Sequence, residues 1–397
     1  MFVTENVEIF AGRIIENGQD VTFTCSKSRI IGHSVIFCVN GQLLPMVPKC
    51  LGSCSNVPLN TLTVEATCQT TEGESIPCSS ELPPGTIADI KCKYGYSMPK
   101  EFVQTRILCQ DDGFWSNRVF KCDQISGIIE EGDAHVSGGP ETNITQVPWH
   151  AAIYELSYGR YAHICGGSII TATVIVSAAH CFWDPQRNKV REPDFYSVAV
   201  GKTYRDYYHQ EAGMQINNVS LIETFPQYYD YDGLYAGDVA VLVLKSPLLF
   251  KPYIKPVGFP SALEGNEKYL PSNLKGRVAG YGLTENGVYS SVLKVLDLQT
   301  VDFITCRDRS SANFKGFITF DKFCAKSQDN GNVCTGDGGG GFIVSTTQTV
   351  NGQTQTMYYI RGIASVGVNN GDECSSTHLT AFTDIQHVIQ IFNKYLP

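Results

Sequence analysis

The sequence predicts an all-β protein in which two small disulfide-rich modules precede one larger β-domain. Nine of the fifteen cysteines lie before residue 123. From Val136 onwards, short runs of β-branched and apolar residues, such as residues 239–244, alternate with turn-forming clusters. This pattern is typical of β-barrels and β-sandwiches. Helical spacing occurs at the C-terminus, where we expect one helix capped by Thr383 or Asp384 and carrying Ile385, Val388, Ile389, Phe392 and Leu396.

The charge and hydropathy of the chain argue against two classes of function. Its 397 residues include 30 basic and 39 acidic side chains, a net charge of −9. This balance offers no basic surface for nucleic acid. No apolar run approaches the roughly 20 residues needed to span a bilayer. We therefore expect neither a nucleic-acid partner nor a membrane span.

The cysteine content indicates an oxidising, secreted context. Fifteen cysteines occur without a paired Cys-x-x-Cys set, so disulfides are expected rather than a metal site, and no cofactor is expected. The sequons at Asn143 and Asn218 are compatible with glycosylation. Residues 1–5 do not open a signal peptide, so we expect either a fragment or a missing true start.

Residues 1–51 resemble a partial sushi (complement control) module. Cys25, Cys38 and Cys50 match its second, third and fourth cysteines, and residues 1–24 hold no counterpart of the first. The resemblance implies a Cys25–Cys50 bridge and leaves Cys38 without a partner. A truncation inside the module explains the odd thiol.

Residues 52–123 are expected to form a second, sushi-like unit with six cysteines. Its later part has sushi order, with Trp115 expected as a core plug. The resemblance implies the bridges Cys78–Cys109 and Cys92–Cys122, with Cys54–Cys68 remaining by elimination. Two interpretations of both modules stay open: spacers, or docking platforms for partners.

Residues 136–397 contain the motif on which the interpretation of the chain depends. Residues 334–342 read Cys-Thr-Gly-Asp-Gly-Gly-Gly-Gly-Phe and resemble the nucleophile loop of chymotrypsin-like serine proteases, Cys-x-Gly-Asp-Ser-Gly-Gly. Every position fits except Gly338, which replaces the nucleophilic serine. The resemblance implies a double β-barrel.

The other catalytic groups of that family also have counterparts. His180, in Ser-Ala-Ala-His-Cys, matches the general base, and Asp238, in Gly-Asp-Val-Ala-Val-Leu, matches the carboxylate that orients it. The resemblance implies an oxyanion hole formed by the amides of Gly336 and Gly338, because glycine at 338 keeps its N–H.

An activation site is predicted after the polar linker 124–135. Val136-Ser-Gly-Gly precedes Val147-Pro-Trp at the spacing that the family shows after its mature N-terminus. Cleavage after His135 would free the Val136 ammonium to pair with Asp337 inside the barrel. Burying either charge alone is costly, so pairing can drive the rearrangement.

The predicted specificity pocket is narrow and uncharged. Asn332 occupies the position at which trypsin-like members carry an aspartate, so arginine and lysine find no counter-ion. Ser365 and Gly367 belong to one wall, which Gly367 leaves open, and Thr380 stands where another wall is usually glycine. The pocket suits leucine, histidine or a modest aromatic side chain. Because His135 is such a residue, we expect self-activation.

The resemblance also implies the bridges Cys306–Cys324 and Cys334–Cys374, and Cys181 is placed to bridge to Cys165. Gly258, in Val-Gly-Phe-Pro, stands where many members carry a cysteine that tethers the cleaved N-terminal part. We therefore expect the two chains to be held noncovalently after cleavage. The tyrosine-rich residues 228–235 are expected to form a surface loop, with a substrate or partner role left open.

The module order and the non-basic activation site resemble the insect modular serine proteases, which initiate extracellular cascades leading to Toll signalling and melanisation. The resemblance implies a secreted, haemolymph-like zymogen with a downstream protease zymogen as its protein substrate and a pattern-recognition protein upstream. Three interpretations of Gly338 stay open: a replaced natural serine, a natural non-catalytic homologue acting as a binding or cofactor module, and a sequence error. Retention of His180, Asp238 and Asp337 favours the first. As written, the polypeptide is expected to be inert.

Overall fold

The computed structural model describes residues 2–4, 7–9, 14–23, 28–54, 59–78, 81–101, 104–129, 144–260, 270–284, 286–327, 333–350, 353–367 and 379–396. The chain divides into two compact units, Met1–Gln124 and Ile125–Pro397. In the described part of the chain, no helix is long and apolar enough to cross a membrane.

The first unit consists of short antiparallel strands. They are β1 (Phe2–Thr4), β2 (Val7–Ile9), β3 (Asp20–Phe23), β4 (Ser28–Ile31), β5 (Val35–Val39), β6 (Gln42–Leu44), β7 (Lys49–Gly52), β8 (Val64–Gln69), β9 (Ser75–Ile76), β10 (Ile87–Cys92), β11 (Tyr96–Ser97), β12 (Arg106–Leu108) and β13 (Asp123–Gln124). The larger sheets have the strand orders β2-β1-β3-β5-β6 and β12-β10-β8-β9.

The first module has a small core. Val21, Phe23 and Ile36 are buried together. Cys38 is buried and is a free cysteine, as the expected lack of a partner requires. Cys25 and the side chain of Cys50 lie outside the described residues, so their predicted bridge stays a prediction.

Two of the three bridges predicted for the second module are wrong. The structure joins Cys54 to Cys109 and Cys68 to Cys78, in place of Cys54–Cys68 and Cys78–Cys109. The cause is the strand register: β8 pairs with β9 so that Cys68 faces Ile76, which brings Cys78 beside it. The third predicted bridge, Cys92–Cys122, is present.

The bridges of the second module surround its core. That core includes Val64, Ile90, Ile107 and Phe120, and Trp115 packs against it half-buried. The side chain of Trp115 thus lies where a core plug was expected.

The second unit contains two closed six-stranded antiparallel barrels, which confirms the predicted fold class. The strands are β14 (His150–Ser157), β15 (Arg160–Thr171), β16 (Val174–Ser177), β17 (Trp183–Asp184), β18 (Lys189–Val190), β19 (Tyr196–Val200), β20 (Gln215–Thr224), β21 (Ala240–Leu244), β22 (Lys275–Gly280), β23 (Lys294–Val301), β24 (Lys322–Ser327), β25 (Gly341–Val350), β26 (Gln353–Gly367) and β27 (Thr380–Asp384). The barrel orders are β14-β15-β16-β21-β20-β19 and β22-β23-β24-β27-β26-β25.

The two barrels share one continuous core. It includes Trp149 and Val176 from the first barrel and Ile343 and Ile363 from the second. Strands such as β16 and β21 are buried along nearly their whole length, which explains why they read as apolar runs. This shared core fixes the two barrels against each other, so loops from both can form one site.

The predicted C-terminal helix is instead two short 3-10 turns, Ile385–His387 and Ile389–Phe392. Ile385, Val388, Ile391 and Phe392 are buried, and the first three recur at the spacing of three residues per turn of a 3-10 helix. The Asp384 side chain accepts a hydrogen bond from the Gln386 amide, as expected of a cap. In the described ranges, the α-helices are α1 (Phe303–Arg309), capped by Asp302, and α2 (Ala312–Lys315).

Candidate active site

A cleft of about 730 Å³ in the second unit brings together His180, Gly336, Gly338, Ser365, Gly367 and Thr380. His180 lies on a 3-10 turn, Ala179–Phe182, just after β16. Asp238 precedes β21 and Gly338 precedes β25. Folding therefore gathers residues that are far apart in the chain.

His180 and Asp238 are joined by two hydrogen bonds. Nδ1 of His180 lies 2.8 Å from Oδ2 of Asp238, and the His180 amide donates to Oδ1 at 3.0 Å. The Ser365 hydroxyl donates to Oδ2 as well. Three hydrogen bonds from two residues thus fix a carboxylate that is fully buried, and this carboxylate fixes the orientation of the imidazole.

The electrostatics of the pair follow from burial and mutual attraction. Burial lowers the pKa of His180, but the charge of Asp238 and its hydrogen bond outweigh burial, so the pKa is raised above its usual range. For Asp238, burial raises the pKa, but His180 outweighs it and the pKa lies below its usual range. The arrangement favours an imidazole that can accept a proton beside a carboxylate that stays ionised.

The imidazole fills the space that a side chain at position 338 would need. A β-carbon built on Gly338 would lie 2.7 Å from Nε2 and 3.1 Å from Cε1 of His180. Since real β-carbons do not approach heavy atoms this closely, a serine at 338 requires the ring to withdraw slightly. Nε2 therefore faces the position of the missing nucleophile.

The loop that carries Gly338 also presents amide groups. Gly336 has φ +98°, in the region that favours glycine. The Gly338 carbonyl accepts a hydrogen bond from the Gly166 amide at 2.8 Å, which attaches the loop to the first barrel. In the described part of the chain, the amides of Gly336 and Gly338 donate to no other group. Both residues line the cleft, where these N–H groups can bind an anion or a carbonyl oxygen.

Asp337 belongs to the same loop, and its side chain is buried without a charged partner among the described residues. Its carboxylate accepts hydrogen bonds from the amides of Gly282, at 2.7 Å, and Cys334, at 3.0 Å. Burial raises its pKa to about 6. A β-carbon at Gly280 or Gly282 would lie 2.1 Å from a carboxylate oxygen, so both positions need glycine.

The cleft walls contain the pocket residues that the structure describes. Thr380 is buried, and among the described residues the Val333 carbonyl, at 3.8 Å, is the one group within 4 Å of a β-carbon built on Gly367, so the described part of the chain leaves this wall open. Ser365 has a second role as the partner of Asp238, which the sequence did not suggest. Asn332 lies outside the described residues.

An aromatic cluster forms another wall of the cleft. The ring of Tyr235 lies edge-on to His180, with centroids 6.3 Å apart, and Phe317 lies 5.6 Å from Tyr235 and 5.7 Å from Tyr231. Tyr228 is instead buried, and its hydroxyl donates to Asp230. The tyrosine-rich loop thus contributes directly to the cleft. Sequence reasoning missed Phe317, because only the barrel packing brings it here.

The remaining predicted site residues are the disulfides, the glycosylation sites and the activation site. The Cys165–Cys181 and Cys306–Cys324 bridges are present, and Asn218 is exposed. His135, Val136, Asn143 and Cys374 lie outside the described residues. The sulfurs of Cys165 and Cys181 lie close to the His180 ring, but their bond to each other leaves no thiolate to ligate a metal.

Comparisons with known proteins agree with this geometry. The trypsin family model matches residues 136–391, and the sushi repeat model matches residues 60–122. The chain is 28% identical over 374 residues to "Modular serine protease" of Drosophila melanogaster, covering 92% of this chain and 57% of that protein. It is 27% identical over 268 residues to "Clotting factor C" of Tachypleus tridentatus and to "Limulus clotting factor C" of Carcinoscorpius rotundicauda, covering 66% of this chain and 26% of each. The chain thus spans between a quarter and three fifths of these relatives.

Proposed function

The chain belongs to the trypsin family, with a sushi repeat ahead of its protease domain, and we propose that it is the zymogen form of a secreted serine endopeptidase from which the nucleophile is missing. The observation that carries the proposal is the His180–Asp238 pair, whose Nε2 faces Gly338. In acyl transfer, this nitrogen takes the proton of a serine hydroxyl as the oxygen attacks the substrate carbonyl. Apart from the slight withdrawal of the His180 ring that a serine at 338 requires, the pair already has the hydrogen bonds of a general base.

The amides of Gly336 and Gly338 have the second role in this chemistry. As the carbonyl carbon becomes tetrahedral, its oxygen gains negative charge, and two preorganised N–H donors stabilise it. Replacing serine by glycine leaves both donors in place. With no hydroxyl at 338, however, no acyl-enzyme forms, and loss of such a nucleophile costs on the order of a million-fold in turnover.

Activation is proposed to work through Asp337. The buried carboxylate has two amide donors but no cation among the described residues. Cleavage between His135 and Val136 would supply the Val136 ammonium. An ion pair between this ammonium and the Asp337 carboxylate then offsets the cost of the buried charge. Because Asp337 lies in the loop that carries Gly336 and Gly338, proteolysis is coupled to the conformation of that loop.

The substrate is proposed to be a protein, as the trypsin family implies. Asn332, which offers no counter-ion to arginine or lysine, supports an uncharged side chain at the cleavage site. The side chain of His135 carries no charge when it is unprotonated, so it fits an uncharged pocket, which supports self-activation at His135–Val136. The names of the relatives, a modular serine protease and two clotting factors, support a place early in an extracellular proteolytic cascade of innate immunity. Toll signalling or melanisation, and recognition upstream by a pattern-recognition protein, belong to this proposal.

A second candidate is a natural non-catalytic homologue that binds partners through the same cleft. The close fit of the His180 ring against Gly338 favours it, because the ring already occupies the space of the absent side chain. In that case, a restored serine should not regain protease chemistry.

Gly338→Ser tests the proposal, with Gly338→Ala as the matched control that adds a β-carbon without a hydroxyl. Incubated alone, the serine variant should generate a new N-terminus at Val136, seen by intact mass and N-terminal sequencing. The alanine variant should stay whole. If the serine variant stays whole but cleaves peptides after an added protease has cut it at 135–136, self-activation is wrong and the protease assignment stands. If it stays inactive even then, the non-catalytic homologue is the better account.

A further inference from the structure

Residues 125–129, in the first half of the linker and at the start of the second unit, pair with the backbone of its barrels. The Gly127 amide donates to the Pro256 carbonyl at 2.9 Å, and the Tyr358 amide donates to the Gly127 carbonyl at 2.8 Å. Ile128 forms an antiparallel bridge with Met357 on β26. This stretch is therefore held on the barrel backbone by one isolated β-bridge and the two hydrogen bonds of Gly127.

Two glycines make this close approach possible. A β-carbon on Gly127 would lie 2.4 Å from the Tyr358 carbonyl oxygen, and one on Gly258 would lie 2.7 Å from the same atom. The Gly127 β-carbon would also lie 3.0 Å from the Gly258 amide nitrogen. Each glycine is thus needed for the linker backbone to reach the barrel.

The barrel side of this contact is itself ordered by hydrogen bonds. The Gly258 amide donates to Tyr358 at 2.9 Å, and the Ile360 amide donates to Gly258 at 3.0 Å. Gly127 is buried, and Ile129 packs against the core shared by the two barrels. The linker therefore has both backbone hydrogen bonds to the barrel and an apolar anchor at Ile129.

We propose that residues 125–129 are a noncovalent docking segment that keeps the N-terminal chain bound to the catalytic unit after cleavage. The inference rests on the proposed cleavage between His135 and Val136, which leaves this segment on the N-terminal chain. Gly258 stands where a tethering cysteine is expected, and Gly127 lies against it. The partner is thus a defined stretch of this chain, recognised by β-strand pairing.

Retention by this segment is reversible. Among the described residues, the contacts that hold it are noncovalent and include a few backbone hydrogen bonds and the partly buried Ile129, and short contacts of this kind are typical of weak complexes rather than permanent ones. A covalent tether would keep the modules attached at any dilution. Here the cleaved N-terminal chain dissociates as the protein is diluted. The catalytic unit would then separate from the N-terminal modules and from any partner that they bind.

The test uses the full chain with the recognition sequence of a site-specific protease placed within residues 130–134, so that cutting does not depend on the natural site. After cutting, a non-reducing denaturing gel should show two species. Native size exclusion at high concentration should show one complex that separates on dilution. Hydrogen exchange should find the Tyr358 amide protected in the cut complex as in the uncut chain, and exposed once the fragments have separated.

Gly127→Ala is the disrupting variant, and Gly159→Ala is its matched control. Gly159 has φ +76° against +74° for Gly127, but no atom lies within 4 Å of its β-carbon position. Loss of the Gly127 hydrogen bonds should raise the dissociation constant of the cut fragments by about tenfold or more, with the control unchanged. A single species on the denaturing gel, separation of the cut wild type at every concentration, or equal behaviour of the two variants would each overturn the proposal.

Discussion

Nδ1 of His180 lies 2.8 Å from Oδ2 of the buried Asp238, while Nε2 faces the bare α-carbon of Gly338. One side of the imidazole is therefore fixed as in a working general base, and the other meets no group to deprotonate. Since Asp238 also accepts hydrogen bonds from the His180 amide and from Ser365, its orientation does not depend on the missing side chain. The His180 pKa and the stability of variants can therefore be measured without restoring activity.

The His180 pKa should depend on Asp238. In the wild type, we expect NMR titration to place it above the usual 6.5. Asp238→Asn should bring it below that value, because burial then acts without the opposing charge. The raised pKa contributes stability that is fully present below pH 6.5 and is lost as the pH rises through the folded-state value. An unchanged His180 titration in Asp238→Asn would contradict the pairing.

The free energy of unfolding of the uncut chain should depend on pH through the ionisation of Asp337. Its folded pKa, about 6, is raised from 3.8 by burial, so the folded state binds the proton more tightly than the unfolded state. The resulting stability is fully present below about pH 4 and is lost as the pH rises through about 6, at most about 3 kcal/mol. Thermal unfolding at several pH values should show this loss, and Asp337→Asn should flatten it. An equal slope in both proteins would argue against an unpaired Asp337.

Only glycine at position 282 should leave room for the buried Asp337 carboxylate. Gly282→Ala places a β-carbon 2.1 Å from a carboxylate oxygen, and overpacking of this kind costs about 1–3 kcal/mol. Gly316→Ala is the control, since no atom lies within 4 Å of its β-carbon position. Thermal unfolding of the two variants should differ by several degrees, and similar midpoints would show that the carboxylate moves without penalty.

The bridges of the second module should differ in their contribution to stability. Cys54–Cys109 joins residues 55 apart and Cys68–Cys78 joins residues 10 apart. Loop-closure entropy gives about 4 kcal/mol for the first and about 3 kcal/mol for the second. Replacing each pair by serines should therefore lower the melting temperature more for the Cys54/Cys109 variant. Peptide mapping without reductant provides the independent check, and recovery of a Cys54–Cys68 peptide would contradict the pairing.

The sequence predicted the double barrel and the grouping of His180, Asp238 and Gly338 because local motifs mark both. The strand-forming run at residues 239–244 and the motif around His180 are readable without knowing what they contact. The cysteine pairs were misassigned because pairing depends on register: only the β8–β9 alignment, with Cys68 opposite Ile76, shows which sulfurs meet. Phe317 reaches the cleft through tertiary packing alone, so no local signal could identify it.

The C-terminal turns show a different limit of pattern reading. Burial at Ile385, Val388 and Ile391 fits a period of three, yet the apolar pattern of this stretch also satisfies the α-helical spacing. Over so few residues the two periods cannot be distinguished. Packing of the stretch against the shared core selects the tighter turn.

Protease chemistry at this site should require only that the serine side chain be restored at position 338. Labelling by a serine-directed fluorophosphonate tests it most directly, after the chain has been cut between His135 and Val136. Gly338→Ser should label at residue 338, while Gly338→Ala and the double variant Gly338→Ser/His180→Ala should not. No labelling of folded, cut Gly338→Ser, or equal labelling in the absence of His180, would contradict the account.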